Sequence, residues 1–198
     1  MPGRYTAQAF QRIGSTTRAL GTAQSFDVVS VHDPALERQD RAATLVFQMR
    51  VGELQRAVSG TVQVVDTALE QVRAARDVLL EDRKSPLTLL DQARAVELTL
   101  LDAREALTGD PTAAQRSGPT SPSVRGRVQS ALYGTLGQTY GPTQTHLRQE
   151  EIARAEYDRV IESVRTAVEQ DLAGLLDALD AAGAPWTPGR PIPALQNE

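Results

Sequence analysis

No cysteine occurs in the chain, which excludes a disulfide framework and any thiolate metal site. Aromatic residues make up only 4% of it. That is little for a sandwich or barrel, and it points to a core of Leu, Val and Ala between helices. No apolar run approaches the ~20 residues that span a bilayer, so no membrane insertion is expected. Met1-Pro2-Gly3-Arg4 also lacks the apolar core of a signal peptide. Taken literally, the chain is soluble and unexported, cytoplasmic if it stands alone; part of a longer periplasmic or secreted protein would look the same. The net charge is −4, and acids and bases interleave along the chain without a basic stripe, which argues against nucleic acid as a partner.

What the chain does have is helical periodicity. Asp33 with Pro34 forms an N-cap and first-turn signal. After it, Phe47, Val51, Leu54, Val58, Val62, Val65, Leu69 and Val72 recur in threes and fours as one apolar face, with one four-four step at Val62. Gly52 and Gly60 interrupt this helix, each costing about 1 kcal/mol against Ala, and mark either tolerated flexibility or close approach of another backbone. Ser85-Pro86 starts a second helix with the seam Leu89, Ala93, Val96, Leu100, Ala103 and Leu107, ended by Gly109. Residues 110–123 read as a mobile crossover rich in Pro, Ser, Thr and Gly. Val124, Val128 and Leu132 then suggest a short helix closed by Gly134 and Gly137, able to cover the half of the first helix that the second is too short to reach. Thr143 or Thr145 caps a third long helix with the seam Leu147, Tyr157, Ile161, Val164, Val168, Leu172, Leu175 and Leu179, stopped at Gly183.

Ahead of the helices, Tyr5 to Ile13 and Gln24 to Val31 favour strands, separated by a long connection containing Gly14-Ser15-Thr16 and Gly21. Two strands alone are marginal in water, so the hairpin must either lie on the helices or belong to a larger sheet. The expected fold class is therefore mainly α: an antiparallel bundle of three long helices plus one short helix, with an N-terminal β-hairpin. The expected division is a hairpin over 1–32, a bundle over 33–183 and a Pro-rich extended tail over 184–198. Helices are expected at about 33–82, 86–108, 123–133 and 143–182. In the tail, Trp186 is expected to plug the bundle end with Arg190 stacked on it.

Several stretches carry a family resemblance. Asp171-Leu172 through Leu179, with Ala181-Ala182-Gly183-Ala184-Pro185-Trp186-Thr187-Pro188-Gly189-Arg190, resembles the C-terminal end of bacterial proteins built on sortilin-like, Asp-box (BNR) β-propellers, often labelled glycosyl hydrolases. Gly3-Arg4-Tyr5-Thr6 with Ser25-Phe26-Asp27-Val28-Val29 resembles the closing hairpin of the immunoglobulin-like domain after the propeller. Ala42-Ala43 to Phe47-Gln48 and Leu54-Gln55-Arg56-Ala57-Val58 resemble the start of the helical segment that follows. Pro122-Ser123-Val124-Arg125 to Val128 and Gly141-Pro142-Thr143-Gln144-Thr145 resemble its middle turn. The Asp-box motif Ser-x-Asp-x-Gly-x-x-Trp is absent from the chain, so no propeller activity transfers to any of its residues. The resemblance implies a non-catalytic accessory module, a fragment or a separately encoded subunit, whose partner is a β-propeller domain or protein. The alternatives are a free-standing helical protein that forms a homodimer or binds a partner through its long helix, and a carbohydrate-active hydrolase.

Candidate chemistry is sparse. Neither His32 nor His146 falls in a Glu-x-x-His or His-Glu-x-x-His metal motif. No Gly-x-Ser-x-Gly elbow occurs. Gly134, Gly137 and Gly141 lack the strand-to-helix setting of a phosphate loop. Carboxylates that a glycosidase would need as a pair are Glu150 with Glu151, Asp177 with Asp180, or Glu53 with Asp66. All of them share helix faces with arginines, as solvated ion pairs do. No catalytic, cofactor-binding or metal-binding residue is assigned, and no cofactor is expected.

Overall fold

The computed structural model describes residues 2–31, 40–81, 85–116, 120–138 and 140–193. It is mainly helical with an N-terminal antiparallel hairpin, as the periodicity predicts. Helix α1 runs Arg41–Glu81, 41 residues and so about 60 Å long. The Asp40 carboxylate caps it, accepting the Ala43 N–H at 2.9 Å. The expected cap at Asp33 and Pro34, His32 beside it and the end at Asp82 lie outside the described residues.

The buried stripe of α1 is a stricter heptad than the sequence suggested. Phe47, Val51, Leu54, Val58, Thr61, Val65 and Ala68 alternate steps of four and three, with Thr61 in the seam and Val62 only half-buried. A hydroxyl is tolerated there because it is satisfied: Thr61 Oγ1 lies 3.0 Å from the Ala57 carbonyl oxygen and 3.0 Å from the Tyr157 hydroxyl.

Helix α2, Leu87–Thr108, buries the six seam residues expected of it, and Gly109 ends it at φ 89°. It pairs with the C-terminal half of α1, where Arg76 and Arg73 both reach Glu97 and Arg104 binds Asp66 at 2.7 Å. Residues 110–123 are not wholly irregular: α3, Pro111–Gln115, forms one turn there, with the Asp110 carboxylate accepting the Thr112 N–H. Helix α4, Val124–Leu136, starts at Ser123, whose hydroxyl accepts the Gly126 N–H, and lies on the N-terminal half of α1. Gln48 Nε2 donates to the Thr135 carbonyl across that contact at 3.0 Å. So α2 and α4 cover α1 in succession.

The third long helix is built in three pieces: α5, Gln144–Thr166; a π-helical segment, Ala167–Leu172; and α6, Ala173–Ala181. The seam explains the π segment. Ala167 and Leu172 are both buried but five residues apart, which on a regular α-helix would turn them about 140° from each other. The wider π turn restores a common face, and Leu172, Leu175 and Leu179 then continue it against α2. Gly183 at φ 67° stops α6 as expected, with the Ala184 N–H on the Leu179 carbonyl and the Gly183 N–H on the Asp180 carbonyl.

In the hairpin, β1, Gly3–Ile13, pairs antiparallel with β2, Thr16–Val28. The long connection expected between the strands is a two-residue turn, Gly14-Ser15, because Gly14 adopts φ 60° and Ile13 pairs directly with Thr16. Gly21, at φ 80°, is not in that connection but in a bulge inside β2, where Gly21-Thr22-Ala23 stand opposite Gln8 alone.

Candidate functional site

Every residue of both strands is exposed, so the hairpin does not lie on the helices. The register divides the hairpin into two unlike faces. Tyr5, Ala7, Ala9, Gln11 and Ile13 on β1 share one face with Thr16, Arg18, Leu20, Gln24, Phe26 and Val28 on β2, and the Tyr5 and Phe26 rings stack with centroids 6.1 Å apart. The other face carries Arg4, Thr6, Gln8 and Arg12 with Thr17, Ser25 and Asp27, and Phe10 with Ala19 as its apolar pair. The first face carries most of the large apolar side chains, and among the described residues the sheet has two strands only.

The carboxylates nominated from the sequence are engaged in pairing with arginine or lie too far apart. Glu150, only 6% exposed, accepts from Arg50 on α1 and Arg154 on α5, each at 3.0 Å. Glu151 points the other way, to Arg148 at 2.7 Å. Asp180 is bound by Arg190, with Nε at 2.7 Å, while Asp177 stands exposed one turn away. Asp66 is held by Arg104, and the thirteen-residue rise from Glu53 places it about 20 Å along α1. That is far beyond the roughly 5–10 Å that two glycosidase acids require.

His146 has a role that spacing alone did not reveal. It is the third residue of α5 and forms a capping box with Thr143: the Thr143 N–H donates to His146 Nδ1 at 3.2 Å, and the His146 N–H to Thr143 Oγ1. Its ring lies on Gly134, where an added Cβ would stand 2.4 Å from His146 Nε2. Gly134 therefore does not close α4, as the sequence suggests; it stays inside the helix and leaves room for the imidazole. Among the described residues, no group of three or more His, Asp and Glu is arranged to hold a metal ion.

The expected Trp186 plug is also different. Trp186 is half exposed, and its indole N–H donates to the Pro191 carbonyl at 3.0 Å and the Arg190 carbonyl at 3.3 Å. Arg190 is not stacked on it. Its guanidinium turns inward, 5% exposed, to Asp180 and the carbonyls of Ala184 and Pro185. Five donors in a planar fork are better satisfied by the acceptors around a helix C-terminus than by a ring face. Thr187 and Ala184 are the buried residues of this end.

Elsewhere, Asp102, Glu105, Asp110, Glu156 and Arg159 line an open groove of about 770 Å³ between α2, α3 and α5. Arg127 neutralises Glu156 from α4 at 3.2 Å. No helix among the described residues is long and apolar enough to cross a membrane. No protein-family model, curated protein or solved structure matches the chain in comparisons with each.

Proposed function

We propose that this chain is a non-catalytic structural and interaction module, the C-terminal accessory part of an exported sortilin-like β-propeller protein of the kind often labelled glycosyl hydrolase. The observation that carries the reading is the hairpin: two strands whose every residue is exposed, beside a bundle that buries its own core. A hairpin of that kind gains its stability from further strands and a second layer, and the immunoglobulin-like domain implied by the resemblance supplies both. The arginine pairing of Glu150, Glu151, Asp66 and Asp180 supports a structural role for these acids over hydrolysis.

The experiment is to read the DNA flanking the coding region. An in-frame Asp-box propeller upstream is the expected result, whereas a promoter and ribosome-binding site set directly at Met1 would overturn the reading. Turnover of a glycoside substrate that disappeared on changing one of these carboxylates would overturn its non-catalytic part.

A further inference from the structure

The heptad of α1 fixes which side of it faces outward. The line directly opposite the buried stripe is Met49, Arg56, Gln63, Glu70 and Asp77, seven residues apart and all exposed. Other arginines of α1 are spent on neighbouring helices: Arg50 binds Glu150 on α5, and Arg73 and Arg76 reach Glu97 on α2. Among the described residues, Arg56 and Glu70 take part in no salt bridge. Gly52 and Gly60 flank the same line over open space. Leu45 and Leu80, near its two ends, are exposed.

The order of these residues is self-complementary when the helix is turned end for end. A twofold axis at Gln63 sets each residue of the line against the one equally far on its other side in a second copy, as an isologous contact requires. Arg56 then faces Glu70 twice over, once on each side of the axis. On one flank Leu45 meets Leu80 and Ser59 meets Asp66; on the other Gly60 meets Thr67, so the middle is made of small side chains that let the backbones approach. No acid faces an acid. Sliding one copy by a heptad loses the match, because Arg56 then faces Gln63 in one direction and Asp66 faces Asp66 in the other. A parallel pair is worse, setting Arg56 on Arg56 and Glu70 on Glu70.

Area sets the strength of such a contact. From Leu45 to Leu80 the overlap is about 53 Å long, and a helix is about 10 Å wide, which gives a footprint of roughly 500 Å² per copy. Stable interfaces bury about 800 Å² per partner. The association is therefore weak and depends on concentration, and the ion pairs decide its register more than its affinity.

We infer that the outward side of α1 is a surface for a second copy of this chain, packed antiparallel about Gln63 with Arg56 of each copy paired to Glu70 of the other. The inference goes beyond the module reading and does not rest on it: neither the hairpin nor a propeller enters the argument. It also gives Gly52 and Gly60 a place in the molecule that the fold of one chain does not.

The test is the molar mass of the full chain, measured by light scattering and sedimentation over a concentration series reaching about 1 mM. The mass is expected to climb from one chain toward two. Arg56→Glu alone, or Glu70→Arg alone, is expected to weaken dimerisation about tenfold, because each sets two pairs of like charges across the axis. The two substitutions together are expected to restore it, since the opposite charges are then exchanged and not removed. Gly60→Gln is expected to weaken it as well by blocking the close approach. Circular dichroism of dilute samples, where the chain is monomeric, is expected to show the same helix content for every variant, because all these positions are exposed. A single-chain mass across the whole series would overturn the inference. So would a dimer indifferent to either single substitution, which would lie on another surface, or a double variant no tighter than the single ones.

Discussion

Leu100 on α2 and Phe10 on β1 are both large apolar side chains, but the first is 0% exposed and the second 59%. The contrast extends to the whole of each region. In the bundle, every long helix meets at least two others along a continuous seam, and its ion pairs tie α1 to α2 and α5, and α4 to α5. In the hairpin, every residue of both strands is exposed, and Tyr5 and Phe26 stack across the ladder. Burial of apolar area is the dominant favourable term in folding, so the bundle carries its own stability while the exposed hairpin gains little from this term.

Truncation in the core gives the largest break between the two regions. Leu100→Ala is expected to lower bundle stability by about 3 kcal/mol, within the range for a fully buried leucine, as read by denaturant unfolding followed by circular dichroism. A loss below about 1 kcal/mol would mean that the seam is loosely packed.

The next effect tests the helix junction. Gly134→Ala pushes His146 out of the capping box and should cost about 1–2 kcal/mol. With His146→Ala already present, the same substitution should cost markedly less, because the clash and the cap are then gone together. Additive costs in that double-mutant cycle would refute the coupling.

Gly52 and Gly60 test the open side of α1. Among the described residues no heavy atom lies within 4 Å of an added Cβ at either position, so close approach of another described backbone segment is not their reason. Alanine at each should stabilise by about 1 kcal/mol, visible as a raised Tm. Destabilisation would point to a partner seated against that side. The smallest effect belongs to the hairpin: Tyr5→Ala or Phe26→Ala should move bundle unfolding by no more than about 0.5 kcal/mol. A larger shift would show that the two regions share a core after all.

Much of the helical architecture was legible because apolar spacing encodes it. The α2 seam, the Gly109 and Gly183 stops, a threonine cap at Thr143 or Thr145 and the path of α4 along α1 all follow from local pattern and length, and the structure selects Thr143. The Gly14-Ser15 turn was also readable, since a two-residue Gly-Ser between strand-forming runs is a hairpin signal, but Gly21 drew attention away from it. Two features were not legible. The π segment depends on α2 demanding one face from Ala167 and Leu172, and the His146 cap depends on α4 presenting a glycine to the ring. The candidate carboxylates were legible as residues, but their arginine partners on other helices were not. Glu150, for example, meets Arg50 from a point one hundred positions earlier.

The sequence alone determined that this protein is helical, where its long helices stop, and that one amphipathic hairpin precedes them, because these properties arise from periodicity and from the local conformational preferences of Gly, Pro, Ser and Thr. Only the tertiary structure decided that the hairpin stands clear of the bundle, that Arg190 turns inward to the end of α6, and that the β1 and β2 edges differ. Those outcomes rest on which surfaces fit together and which hydrogen bonds are already taken, and such pairings join residues that no local pattern connects.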